Sequence, residues 1–150
     1  SGRTGAILNT EDLSTILGFR KEKSKEANKL ADYGLWEDAE LANTSIIEKL
    51  SGDTNAYIRL GDSLSKQGRA SEANEVYLYG SNLDKMKLER TRKAISCSSD
   101  GDWEGAVEIN RSILNDFPWD LEAYNRLGKA YMELQDAEKA IQAFKCSLII

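Results

Sequence analysis

Small and apolar residues recur at two spacings along this chain. Within a segment they fall three and four positions apart, which predicts amphipathic helices. Between segments, Ala39, Ala73, Ala106 and Ala140 follow one another at intervals of 34, 33 and 34 residues. Each of these alanines falls near the start of a predicted helix. The pattern predicts first helices over 20–33, 54–66, 87–98 and 120–133, and second helices over 37–50, 70–83, 103–115 and 137–150. A shorter helix over 11–17 is expected ahead of them, capped by Asn9-Thr10, with Leu13, Ile16 and Leu17 on one face and Gly18 closing it. Gly34, Gly68 and Gly101 fall in the turns inside the helix pairs, where a positive φ is tolerated. Pro118 falls between pairs, where a helix must have ended.

A second, longer period of 67 runs through the same residues. Trp36-Glu37-x-Ala39 returns as Trp103-Glu104-x-Ala106. Asn43, Ser45, Ile46 and Ile47 return as Asn110, Ser112, Ile113 and Leu114. Asp53, Ala56, Tyr57, Arg59, Leu60 and Gly61 return as Asp120, Ala123, Tyr124, Arg126, Leu127 and Gly128. Helical periodicity alone does not produce so many matched identities, so the duplicated unit reads as two helix pairs.

The fourth pair carries Ala123-Tyr124-Asn125-Arg126-Leu127-Gly128, then Tyr131, a turn near Gln135-Asp136, Ala140 and Phe144. The second carries Tyr57, Leu60, Gly61, Leu64, Gly68, Ala73 and Tyr77. On these residues the chain resembles the tetratricopeptide-repeat family over residues 20–150. The first and third pairs depart from the pattern, with Glu26-Ala27 and Lys93-Ala94 at the Leu-Gly positions. The resemblance implies an all-α fold: a right-handed superhelical array of antiparallel helix pairs, about four units over 20–53, 54–86, 87–120 and 121–150, after an N-terminal segment 1–19. Ala27, Gly61, Ala94 and Gly128 are expected to face the four alanines, because small residues let paired helices approach closely. No pair buries its apolar face alone, so stacking is required.

Composition narrows the function classes. The chain has 150 residues, a net charge of −5, one proline, two cysteines and no histidine. The length is that of one domain. The acidic balance disfavours nucleic acid, and no run approaches the ~18 apolar residues of a membrane span. Gly5-Ala6-Ile7-Leu8 is too short for the apolar region of a leader. Cys97 and Cys146 read as small core residues in a reducing, cytoplasmic setting. No nucleophile–base pair or metal set stands out, so neither an enzyme nor a cofactor is expected. Asn43-Thr44-Ser45 and Asn110-Arg111-Ser112 match a glycosylation acceptor but fall inside helices. Asp100-Gly101-Asp102 with Glu104 has the wrong offsets for a calcium loop, and Gly128-Lys129 lacks the rest of a phosphate loop. Trp36 and Trp103 are expected to pack on the turns they follow.

The feature with functional content is basic. The resemblance implies that first helices line a concave face, into which the sixth repeat position points. Lys25, Arg59, Arg92 and Arg126 hold that position, with Asn28, Asn125 and Lys129 beside them. Family members that bind the carboxylate end of a peptide use Lys, Arg and Asn at such places. Asn28 and Arg92 match that arrangement, whereas Ser24, Arg59 and Leu88 do not. The expectation is a protein–protein interaction scaffold that binds an acidic or C-terminal peptide through guanidinium forks. The alternative is an assembly module that self-associates through its ends. No helix follows to cover Tyr131, Ile141, Phe144 and Leu148. That face is expected to be covered by a continuation of the chain, by a second copy, or by the Leu13–Ile16–Leu17 face of a neighbour.

Overall fold

The computed structural model describes residues 8–150; Gly5, Ala6 and Ile7, read above as too short for a leader, lie outside the described residues. Seven helices follow: α1 (Thr10–Asp32), α2 (Trp36–Lys49), α3 (Thr54–Lys66), α4 (Ala70–Ser99), α5 (Trp103–Asp116), α6 (Leu121–Glu133) and α7 (Ala137–Leu148). Five of their starts are capped by carboxylate or amide side chains. The Asp53, Asp102, Asp120 and Asp136 side chains each accept from the backbone N–H three residues on, at α3, α5, α6 and α7. Asn9 does the same for α1, accepting from the Asp12 N–H at 2.7 Å.

The turns inside the pairs are identical in hydrogen bonding. Gly34, Gly68, Gly101 and Gln135 all have positive φ, at 72°, 78°, 74° and 62°. Each donates to a carbonyl three residues back, and the next residue donates to one five back, the pattern that closes a helix on a left-handed residue. Gln135 is the exception in chemistry, since a side chain in this region is strained by its Cβ.

Two expected breaks are absent. Gly18 does not end a short helix; α1 runs through it, and the space around its Cα is open. The helices expected over 70–83 and 87–98 are one helix, α4. The physical reason lies in the junctions. The other two pair-to-pair junctions contain Ser51-Gly52-Asp53 and Pro118-Trp119-Asp120, whereas Asp84-Lys85-Met86-Lys87 holds no glycine or proline to stop propagation.

The described chain packs as two units. One comprises Gly18–Met86; the other comprises Lys87–Ile150 together with the segment up to Leu17. In the first, α2 packs on α3 around Ala39, Ile46, Ala56, Tyr57 and Leu64. In the second, α5 packs on α6 and α6 on α7, around Ile113, Phe117, Tyr124 and Leu127. Leu13 is fully buried in this second core, with Leu8 and Leu17 packed against it. The Cys146 thiol, buried in the same core, donates to the Leu8 carbonyl at 3.1 Å. Burial pushes that thiol's pKa up.

All four period-marking alanines are buried. The atoms nearest to a Cβ placed on Gly61 or Gly128 belong to aromatic rings. A Cβ on Gly61 would lie 2.3 Å from the Tyr77 ring, and one on Gly128 would lie 2.7 Å from the Phe144 ring. The aromatic four residues after the alanine is therefore the neighbour the glycine admits. In the first and third pairs the small residue is Ala27 or Ala94, and the residue four past the alanine is Asn43 or Asn110.

Candidate functional site

The 67-residue period reappears as duplicated hydrogen bonds. The buried Asn43 side chain donates through Nδ2 to the Ala39 carbonyl at 2.9 Å and accepts at Oδ1 from Arg59 Nε at 2.9 Å. Asn110 repeats this with the Ala106 carbonyl, at 2.8 Å, and with Arg126 Nε, at 2.9 Å. The Tyr57 hydroxyl donates to the Ser51 carbonyl, and the Tyr124 hydroxyl to the Pro118 carbonyl. Arg20 pairs with Asp53 at 3.0 Å, and Lys87 pairs with Asp120 at 3.4 Å.

These bonds divide the basic positions. Arg59 and Arg126 are half-buried and tied to second-helix asparagines, whereas Lys25 and Arg92 are exposed. In both tied arginines the Nη2 atom is buried without a hydrogen-bond partner. Burial also lowers the pKa of Arg59, with the nearby Asp53 charge opposing that effect. Asn28 is exposed and Asn125 half-buried; Lys129 is exposed and stands over the Trp103 ring at 5.9 Å.

One cavity, of about 290 Å³, lies in the first unit among Asn28, Asn43, Arg59, Asp62, Ser63 and Lys66. Trp36 and Tyr77 also line it. The cavity joins Asn28 to Arg59, and Lys25 is not part of it. The Tyr77 hydroxyl donates to Asp62, a bond that raises the tyrosine pKa to about 12. Lys66 stands over the Trp36 ring at 5.8 Å. Trp36 therefore faces an open space as well as the turn it was expected to pack on. Asn43 was absent from the residues expected to matter. Its signal was a polar side chain on the stripe where the second and fourth pairs carry Tyr77 and Phe144.

The residues expected to form an apolar patch separate as well. Tyr131 is buried in the second core and Phe144, partly buried, packs against it, so the expected patch loses most of its aromatic area. The chain's own Leu13 shares that core, in place of a neighbour's. Ile141 and Leu148 remain exposed, at 55% and 84%.

Residues 121–146 match the family model of the tetratricopeptide repeat. No curated protein matches the chain. Among solved structures it is similar to a MamA RS-1 ArsTM double mutant, at 20% identity over 87% of this chain and 74% of that one, with a TM-score of 0.42. It is also similar to MamA in a crystal structure, at 19% identity over 89% and 85%, with a TM-score of 0.42. Among the described residues, no helix is long and apolar enough to cross a membrane.

Proposed function

We propose, from the premise that this chain is a tetratricopeptide-repeat protein, that its first helices hold an extended acidic segment of a protein partner. Helical-repeat folds offer surface to other chains. The observation that carries the acidic reading is the run of basic side chains at one repeat position in a chain of net charge −5. Lys25 and Arg92 stand exposed there and supply the long-range attraction. The free Cys97 and Cys146 fit a cytoplasmic protein, and the acidic balance sets it against nucleic acid.

Titration with an acidic peptide at low and high salt tests this. Affinity should fall steeply with salt, because exposed charges are screened beyond about 8–10 Å near physiological ionic strength. Arg92→Glu should cost ~1.5–3 kcal/mol where it removes a hydrogen bond to a charged group. Unchanged affinity would remove Arg92 from the surface.

Exposed Ile141 and Leu148 favour a second reading, pairing of two copies through α7. Light scattering should then show a dimer that Leu148→Asp dissociates. A monomer at high concentration would refute it.

A further inference from the structure

We propose that residues 8–17 form an exchangeable arm, and that two copies of this chain pair by each laying its arm into the other's second core. The receiving surface is the part of that core which the arm fills in its own chain. Leu13 is fully buried in one cluster with Ile113, Tyr131 and Cys146, and Leu8 and Leu17 pack against it. The Cys146 thiol donates to the Leu8 carbonyl, so a hydrogen bond holds the arm as well as apolar area. The first unit has no counterpart: residues 18–32 with α2, and α3 with residues 70–86, account for its described helices. The arm is thus a fifth helical piece added to two pairs. A second copy carries the same side chains, so the exchanged arm fits as well as the chain's own. This goes beyond pairing through exposed Ile141 and Leu148, because the joint is the covered core and not the surface of α7.

The hinge lies where the units divide. α1 belongs to both, and the division falls between Leu17 and Gly18. Short of proline, glycine is the residue that most weakens a helix interior. Gly18 is exposed, and a Cβ there would meet nothing within 4 Å, so no close contact requires the glycine. The other helix shared by the units is α4, divided between Met86 and Lys87. The position 67 residues after Gly18 is Lys85, and residues 84–87 hold no glycine or proline. One crossing is weakened and the other is not, so α1 can open while α4 keeps the units joined. Every contact of the arm is remade in the partner, which leaves hinge opening and concentration to set the exchange. A tethered arm competes for its own core at an effective concentration in the millimolar range, so pairing requires protein at about that level.

The test incubates the full chain at about 1 mM, dilutes it, and resolves the species by size-exclusion chromatography with light scattering. A dimer that dissociates slowly after dilution, persists in Leu148→Asp and is lost in Leu13→Asp supports the exchange. Gly18→Ala should form that dimer about fivefold more slowly, the ratio that the helix preference of alanine over glycine sets. Dimers of ¹⁴N and ¹⁵N chains, mixed and followed by native mass spectrometry, should form hybrids only at the slow rate of dissociation. Gly18→Ala keeps the proposal falsifiable where Leu13→Asp fails to fold: an unchanged rate of dimer formation overturns it. So does a folded Leu13→Asp that still dimerises, or the appearance of hybrids within the mixing time. A dimer lost in Leu148→Asp overturns the exchange and leaves pairing through α7 standing. A chain that stays monomeric throughout overturns both.

Discussion

Residues 18–86 and 87–150 carry the same Asn–Arg pair in different surroundings. Around Arg59 the neighbouring positions are Asn28, Ser63 and Tyr77; the positions 67 residues on are Ile95, Ala130 and Phe144. The first set carries polar side chains at these positions, and the second carries hydrocarbon. The shared elements, Asn43 or Asn110 with its arginine, are those that satisfy the protein's own buried groups. Duplication preserved what folding requires, and the two copies differ in what lines the space beyond it. The difference teaches that repeated basic residues at one offset are not equivalent binding residues. Each has to be assigned by counting which of its nitrogens is already taken.

The comparison can be broken most severely at the asparagines. Asn43→Ala and Asn110→Ala each strand a half-buried arginine Nε, and each should destabilise by about 1–3 kcal/mol or more. Denaturant midpoints should fall alike in both. A large drop in only one would show that the pairs are not equivalent supports. Next come the close contacts. Gly61→Ala and Gly128→Ala push a Cβ into the Tyr77 and Phe144 rings and should cost about 1–3 kcal/mol, as should Ala106→Leu and Ala140→Leu. Cys97→Ala, at a half-buried position, should cost less than any of these. The reverse order of midpoints would place the tight contacts elsewhere.

The turns sharpen the contrast in the opposite direction. Gln135→Gly relieves a positive-φ side chain and should stabilise by about 1 kcal/mol. Gly68→Ala, at φ 78°, should destabilise by a similar amount. Calorimetric melting of the pair would settle whether the fourth turn is strained. The smallest effect is expected at the duplicated ion pair. Lys87→Arg copies the Arg20–Asp53 geometry onto Asp120 and should add no more than about 1 kcal/mol. A loss of stability would mean that the longer, 3.4 Å lysine pair is already the better fit.

Much of the fold was legible. Four buried alanines and three glycine turns each announce themselves locally, whereas the four aspartate caps went unread. The fourth turn was placed, but nothing in a glutamine at 135 signals its left-handed backbone. The two continuous helices escaped because Gly18 was read as a stop within α1 and a pair boundary was imposed on 84–87 within α4, where no residue stops a helix. Burial of Leu13 beside Cys146 escaped for a different reason: amphipathicity says that a face will be covered, and it does not say by what. In the candidate site the arginines were legible by their offset. Their anchoring to Asn43 and Asn110 depends on contacts between helices, which spacing within a helix does not reveal.

Leu8 and Cys146, joined by a hydrogen bond, are 138 positions apart in the chain. Arrays of helix pairs ordinarily make contacts between near neighbours, so they nucleate anywhere and fold quickly. Here one core closes only when the start of α1 reaches the end of α7. During synthesis, Leu13 emerges long before the surface that buries it and waits, exposed, for its partner. Closing so long a loop carries an entropic cost that the adjacent pairs do not share. The unit that includes Lys87–Ile150 should therefore be the slower of the two to reach its native core.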